Sequence, residues 1–244
     1  MKLTVLGFWG GYPGAGEATS GYLLQSEGFN LLIDCGSGVL AQLQKYIKPE
    51  ELDAVVLSHY HADHVADIGV LQYSRLIQSF LQKGMQTLPI YGHNDDEAGL
   101  LSLTHLHHTK GMSYDPSREL KVGPFTITFQ LTKHAAVCYA MRITDGKETI
   151  VYTADTALIP ELVPLSSQAD LLIAECNFYK GMDGSGPGHM TSEDCGKLAA
   201  QAEVNHLLLT HLPHFGELPQ LVTEAKEVYN NKVELASSGW TWGA

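Results

Sequence analysis

Four side chains able to bind a metal lie within six consecutive positions, His59-Tyr60-His61-Ala62-Asp63-His64. Three imidazoles and a carboxylate are costly to bury without partners, and a solvated surface turn has no need of three histidines. On a sharp loop, alternate residues point to opposite sides of a small cavity, so His59 and His61 could bind one cation and Asp63 and His64 a second. The pattern therefore favours a metal site over a polar surface loop. This ligand chemistry suits Zn²⁺ first, with Mn²⁺ or Fe²⁺ as alternatives.

Further ligands for two ions are available later in the chain. His134, Asp155 and His211 each follow or end an apolar segment of strand character. An α/β protein carries its chemistry at the carboxyl edge of its strands. Taken singly, each of these residues could equally be a hydrogen-bonded surface residue. Together with the histidine cluster, they predict a set of seven metal ligands.

The elements that must position these residues follow from hydrophobic periodicity. We predict strands at Leu3–Phe8, Gly21–Ser26, Asn30–Asp34, Ala54–Leu57, Leu88–Tyr91, Phe125–Leu131, Val137–Thr144, Thr149–Tyr152, Leu171–Ala174, His206–Leu209 and Lys232–Leu235. We predict helices at Val39–Ile47, Val65–Leu81, Glu97–His107, Ala157–Leu162, Thr191–Ala202 and Leu218–Tyr229. The histidine cluster then falls in a loop between a strand and a helix. With no linker or repeat, the sequence predicts one α/β domain, residues 1–244, of two packed sheets with helices outside.

The motif H-x-H-x-D-H, with a later His, Asp and His that each follow or close a strand, resembles the metallo-β-lactamase superfamily. The segment Asn30–Gly36 extends the likeness, which covers almost the whole chain. The resemblance implies a four-layer αββα sandwich of two mixed sheets. It also implies that one ion is bound by His59, His61 and His134 and the other by Asp63, His64 and His211, with Asp155 bridging them.

Glu175 and His189 resemble a pair found in the ribonuclease Z-like phosphodiesterase branch of that superfamily. They stand in Glu175-Cys176-Asn177 and Gly188-His189-Met190-Thr191, where that branch places a Glu and a His beside its metals. The resemblance implies that His189, oriented by Glu175, protonates the leaving oxygen after attack by a metal-bridging hydroxide. We therefore expect Asp63, Glu175 and His189 to be catalytic. The alternatives are a glutamate paired elsewhere and a histidine near a helix start that Thr191 caps.

The chain also departs from ribonuclease Z. Bacterial-type tRNA-processing members carry a long basic arm between the third His and the bridging Asp, whereas Asp155 follows His134 by only 21 positions. We therefore predict a small phosphodiester substrate, such as a cyclic nucleotide or a short oligonucleotide. The alternatives are a carboxylic ester, thioester or lactone hydrolase on the same bimetal site, a tRNA 3'-processing-type nuclease, and a binding protein that has lost catalysis.

Composition limits the partners. The formal net charge is −12, with 27 acidic and 15 basic residues, so the chain has no general attraction for extended nucleic acid. Four dispersed cysteines indicate a reducing cytoplasm, and we expect neither a signal peptide nor a membrane span. The resemblance leaves a homodimer open.

Several residues have no settled role. Gly10–Gly16 lacks the Lys-Ser/Thr ending of a P-loop, so it could line a cleft but does not predict triphosphate binding. Arg75 could meet a phosphate, but we expect it on a helix surface. His105–His108 are expected at an exposed helix end, or at most on the rim of a pocket. His214 could equally touch substrate or pack in a turn.

Overall fold

The computed structural model describes residues 1–82 and 84–243. These residues form two compact units: unit 1 is Met1–Asp115 with Ser237–Ala244, and unit 2 is Pro116–Ala236. Each unit contains one seven-stranded mixed sheet with helices. The expected α/β class with two mixed sheets is confirmed, while the single domain spanning 1–244 stays a prediction.

The sheet of unit 1 is antiparallel on one side and parallel on the other. Its strands are β1 (Lys2–Gly7), β2 (Gly21–Ser26), β3 (Phe29–Ile33), β4 (Ala54–Val56), β5 (Leu88–Gly92), β6 (Thr109–Ser113) and β14 (Thr241–Gly243). Their order is β14-β1-β2-β3-β4-β5-β6, and the pairs from β3 to β6 are parallel. Strand β4 is buried throughout, as its apolar run Ala-Val-Val requires. The histidine cluster therefore starts at the carboxyl end of a central buried strand.

Helices of unit 1 follow its parallel strands. They are α1 (Val39–Leu43), α2 (Ala62–Val65), α3 (Ile68–Leu81) and α4 (Glu97–Ser102), and Pro49–Glu51 adds a 3₁₀ turn. Leu40 of α1 and Leu71 of α3 pack with Leu32 and Val55 of the sheet in one apolar core. This packing fixes the loop that carries the cluster, because its two flanking elements are both anchored.

The sheet of unit 2 repeats this arrangement along the chain, with antiparallel strands first and parallel strands after them. Its strands are β7 (Leu120–Val122), β8 (Phe125–Leu131), β9 (Tyr139–Thr144), β10 (Thr149–Tyr152), β11 (Leu171–Glu175), β12 (His206–Thr210) and β13 (Lys232–Leu235), in the order β13-β12-β11-β10-β9-β8-β7. Strands β10 to β13 are parallel and the others antiparallel. Helices α5 (Leu162–Ser166), α6 (Ser192–Gln201) and α7 (Leu218–Ala225) accompany the parallel part. The carboxyl ends of β10, β11 and β12 therefore lie side by side.

Local hydrogen bonding accounts for three of the differences between the predicted helices and those in the structure. The expected helix Val65–Leu81 is interrupted before α3, where Asp67 accepts a hydrogen bond from the Leu40 amide at 2.9 Å. The helix expected at Ala157–Leu162 is absent, because Ala157 donates instead to the Lys133 carbonyl and Pro160 cannot continue a helical hydrogen-bond ladder.

The helix expected at Glu97–His107 ends at Ser102. Thr109 Oγ1 donates to the Leu103 carbonyl and accepts from the His105 amide, and the chain turns back into β6, which the sequence did not predict. His105–His108 therefore lies in this turn. Within it His108 is buried, against expectation.

Helix α3 carries an apolar stripe on its outer side, formed by Val70, Tyr73, Ile77, Phe80 and Leu81, all exposed. Arg75, the only charged residue of α3, is instead buried, only 3% exposed. It donates to the carbonyls of Glu50 and Gln86, so the expected surface role of Arg75 is wrong. Among the described residues, no helix is long and apolar enough to cross a membrane.

Candidate metal centre

The four ligand-type residues of unit 1 are gathered around the start of α2. His59 and His61 lie in the loop after β4, and Asp63 and His64 in the first turn of α2. The ring centroid of His59 is 4.8 Å from that of His61 and 4.1 Å from that of His64. His59 and His64 are fully buried. Within unit 1 the histidines of this segment lie close together, and their role as metal ligands stays a prediction.

A buried carboxylate orients two of these histidines. Asp34, at the end of β3, accepts from His64 Nδ1 at 2.7 Å and from the Ser58 amide and hydroxyl at 2.8 Å each. The Ser58 hydroxyl in turn lies 3.0 Å from His59 Nδ1. Because Nδ1 of each ring is engaged, Nε2 is the nitrogen that can coordinate a cation. Sequence reasoning included Asp34 in a motif but gave it no role.

We expect Asp34→Asn to weaken metal binding by about 10- to 100-fold while the chain stays folded. An asparagine amide would present an N–H to His64 Nδ1 and favour the tautomer with its proton on Nε2, which cannot then coordinate. Competition titration with a chromophoric chelator measures the affinity. Asp53→Asn is the matched control, since Asp53 also binds a backbone amide, that of Asn30, at 2.8 Å. Equal affinities for both variants would contradict the positioning role of Asp34.

The glycine-rich loop contacts the cluster directly. The Gly11 amide donates to Asp63 Oδ2 at 2.9 Å, and the same oxygen lies 3.6 Å from His64 Nε2. Within unit 1, Gly10–Gly16 therefore positions a carboxylate through its backbone. This contact leaves no sequence signal, since any residue except proline supplies an amide.

In unit 2, three ligand-type residues converge from three strand ends. His134 follows β8, Asp155 follows β10 and His211 directly follows β12. Asp155 Oδ2 lies 3.3 Å from His211 Nε2 and 3.7 Å from His134 Nε2. One carboxylate oxygen thus lies near two imidazole nitrogens, as a ligand shared by two ions would.

These separations fit ligands of a common cation. Charge-assisted hydrogen bonds between such groups measure about 2.7–2.9 Å, whereas ligand atoms about 2.1 Å from a tetrahedral ion lie roughly 3.4 Å apart. The contacts of 3.3, 3.6 and 3.7 Å belong to the second range. In unit 2 His134 Nδ1 donates to the Gly188 carbonyl at 3.2 Å, so again Nε2 is directed to the site. The donors present in each unit fit divalent metal ions.

Glu175 and His189 form a hydrogen-bonded pair beside these ligands. His189 Nδ1 donates to Glu175 Oε1 at 2.8 Å, and Glu175, at the end of β11, is fully buried. Burial raises the pKa of Glu175, and the hydrogen bond with His189 opposes that rise. The Thr156 amide also donates to Oε1, at 3.1 Å. The predicted pairing is present, and Thr191 does cap α6 as well, by accepting from the Asp194 amide.

The ring of His189 lies against both histidines of unit 2. Its centroid is 5.1 Å from His134 and 5.3 Å from His211, and it is stacked on the latter. Gly188 permits this approach: its φ is +83°, and a Cβ there would come within 2.8 Å of His134 Cα and of the Lys133 carbonyl. A glycine at this position therefore brings the loop of His189 onto the ligand-type residues.

Strained backbone marks the same strand ends. Asp34, Ala154 and His211 have φ values of +53°, +49° and +51°, which side-chain-bearing residues rarely adopt. Asn177 Nδ2 holds His211 there by donating to its carbonyl at 3.1 Å. Such strain costs about 1–3 kcal/mol per residue and clusters at functional sites. His214 is exposed, and its role stays a prediction.

Comparisons with known proteins agree with this geometry. Residues 29–212 match the family model described as "Beta-lactamase superfamily domain". The "Probable metallo-hydrolase YhfI" of Bacillus subtilis (strain 168) is 56% identical over 242 residues, covering 99% of each chain. The crystal structure of the metallo-beta-lactamase fold protein YhfI from Bacillus subtilis superposes with a TM-score of 0.98, at 54% identity, over 99% of this chain and 98% of that one.

A more distant relative is a ribonuclease Z. Ribonuclease Z of Myxococcus xanthus (strain DK1622) is 25% identical over 302 aligned positions, covering 99% of this chain and 97% of its own. The alignment is longer than the 244 residues of this chain, so the relative carries inserted segments. The chain belongs to the metallo-β-lactamase superfamily.

Proposed function

We propose that this chain, a metal-dependent hydrolase of the metallo-β-lactamase superfamily, is a phosphodiesterase that acts on small phosphodiesters with two divalent metal ions. The observation that carries the proposal is the Glu175–His189 hydrogen bond, in which the His189 ring is also stacked on the ring of His211. A protonated imidazole assists an alkoxide leaving group, and a buried carboxylate keeps that imidazole charged and oriented. A thioester has less need of such an acid, since a thiolate leaves without a proton, whereas a carboxylic ester or a lactone also expels an alkoxide and must be distinguished by assay.

The proposed ligands are the seven that the sequence predicts. They are His59, His61 and His134 for one ion, Asp63, His64 and His211 for the other, and Asp155 for both. When bound, the two metal ions would lower the pKa of water to about 7 and offset the negative charge of a phosphate. Asp63 and Asp155 reduce the local positive charge, and His189 delivers the proton to the departing oxygen. We propose Zn²⁺ as the metal, since imidazole and carboxylate donors suit it.

The segment between His134 and Asp155 supports a small substrate. It forms the hairpin of β9 and β10, with Gly146 at its turn, in the place where tRNA-processing enzymes would need a long arm. The net charge of −12 adds repulsion for any long polyanion. A small phosphodiester needs neither an arm nor a basic surface.

Substrate profiling of the zinc-reconstituted chain tests this proposal. We expect turnover of bis-p-nitrophenyl phosphate and of cyclic or linear dinucleotides, and its loss on treatment with a chelator. A lactone and a thioester assayed in parallel represent the acyl alternative. Acyl turnover without phosphodiester turnover would overturn the proposal. Salt-sensitive binding and cleavage of precursor tRNA would favour the nuclease alternative.

The apolar stripe of α3 leads us to propose a homodimer. Val70, Tyr73, Ile77 and Phe80 are spaced three, four and three residues apart, the repeat by which one helix packs against another. The stripe is free of charge in a strongly acidic chain, so two copies can meet there without facing like charges. A second copy is therefore the occupant that this face fits.

We expect Ile77→Glu to weaken self-association by at least about tenfold, because the dimer would bury a carboxylate from each copy in an apolar contact. Light scattering after size-exclusion chromatography over a range of protein concentrations measures this. Leu101→Glu is the matched control, since Leu101 is an exposed leucine on α4. A wild-type chain that is monomeric at every concentration would contradict the dimer.

A further inference from the structure

Two phenylalanines of unit 2 extend the site outward from His189. The ring centroid of Phe178 is 6.2 Å from that of His189, and the ring of Phe215 is 6.4 Å from that of Phe178. Phe178 is partly buried, whereas Phe215 is 46% exposed. We call Phe178 and Phe215 the aromatic ledge. It begins at the proposed proton donor and ends at an exposed ring.

The exposed ring of Phe215 is fixed by its surroundings. The Tyr179 hydroxyl donates to the Phe215 carbonyl at 3.0 Å, and the two rings are 5.8 Å apart. The next residue, Gly216, has φ +73°, and a Cβ there would come within 2.5 Å of the Tyr179 ring. The backbone around Phe215 therefore has a specific packed geometry. Its ring is pre-placed, which lowers the entropy lost when a ligand stacks on it.

Core packing does not account for this exposure. A phenylalanine that only filled the interior would be buried, since burying such a side chain contributes about 1.5–3 kcal/mol. Tyr179, only 7% exposed, already fills the space beneath the loop. The Phe215 ring therefore offers an apolar, planar face to a ligand.

A nucleobase is the ligand that this face fits. Bases stack on aromatic side chains with little regard to sequence, and each such contact contributes substantially to binding. In a nucleotide, a ribose separates base from phosphate, so the base lies away from a phosphate that reacts beside His189. The two ring-to-ring steps of 6.2 and 6.4 Å likewise carry the ledge away from His189. We propose that Phe215, backed by Phe178, is a specificity-determining platform on which the base of a nucleotide phosphodiester stacks. This inference rests on the proposed phosphodiesterase function.

Two esters with the same leaving group test the ledge. Thymidine 5'-p-nitrophenyl phosphate and methyl p-nitrophenyl phosphate differ only in the group that remains on phosphorus. We expect the wild type to prefer the nucleoside ester. Phe215→Ala should lower its kcat/KM for that ester at least about fivefold, mainly through KM, and change the methyl ester less than about twofold. Phe215→Trp should keep the preference, because it retains an aromatic face.

The controls separate the possible failures. Leu101→Ala, a truncation of an exposed leucine in unit 1, should leave both esters unchanged. Equal losses of kcat/KM for the two esters in Phe215→Ala, or no loss for either, would contradict base stacking on the aromatic ledge. The proposed phosphodiesterase function would still stand. Turnover of neither ester by the wild type would instead overturn the proposed function, and the ledge with it.

Discussion

Asp155→Asn is expected to lose most bound metal and to lower phosphodiester kcat/KM by at least about a thousandfold. Asp155 Oδ2 lies 3.3 Å from His211 Nε2 and 3.7 Å from His134 Nε2, so one carboxylate oxygen serves two proposed metal positions. Two neighbouring cations would repel each other, and the carboxylate of Asp155 would offset part of that charge whereas an amide would not. Elemental analysis by mass spectrometry and steady-state kinetics with bis-p-nitrophenyl phosphate measure the two losses.

A matched carboxylate provides the comparison for Asp155. Asp145 accepts backbone hydrogen bonds from Lys147 and Glu148 in the β9–β10 turn of the same unit. Asp145→Asn should therefore keep both metal content and turnover. If Asp155→Asn also bound two equivalents of metal and kept wild-type turnover, a shared role for Asp155 would be excluded.

His189→Ala should lower kcat by about 10²–10⁴-fold for a phosphodiester with an alkoxide leaving group, while metal content stays at the wild-type level. His189 is not among the seven proposed ligands, and its Nδ1 is engaged by Glu175. The loss should shrink with a p-nitrophenyl leaving group, because a stable phenolate departs without a proton. Comparing a dinucleotide with bis-p-nitrophenyl phosphate therefore reports the proton transfer itself.

Glu175→Gln is the companion to His189→Ala. The amide keeps the shape of the side chain but no longer stabilises a charged imidazole, so we expect a smaller loss with the same dependence on leaving group. A loss in His189→Ala that is equal for both substrates would contradict a proton-donor role and would indicate a structural one.

The sequence predicts the ligand-type residues because histidine and aspartate side chains can bind metals and because they follow apolar segments or lie close together in the chain. His59, His61, Asp63 and His64 are consecutive or nearly so, and within unit 1 they form one cluster. His134, Asp155 and His211 follow apolar segments, and such segments do end at one edge of the sheet of unit 2. The Glu175–His189 pairing followed only from the family resemblance, since no spacing rule joins the two residues.

The features that the sequence did not predict depend on contacts between distant residues, which hydrophobic periodicity does not indicate. Asp34 is an ordinary strand-end residue in the sequence, and its role follows from hydrogen bonds to residues 24 and 30 positions away. The predicted helix through His107 missed β6 because Thr109 closes a turn with its hydroxyl. In the sequence Phe215 is an ordinary loop residue, and its packing against Tyr179 and Phe178 is seen only in the structure.

The left-handed backbone at Asp34, Ala154 and His211 has a consequence for how this chain can change. Glycine would relax the backbone at any of the three positions, so selection for thermal stability alone would favour glycine there. Such substitutions would remove the side chains of Asp34 and His211 and would loosen the segment before Asp155. Robustness and activity therefore oppose each other at these positions.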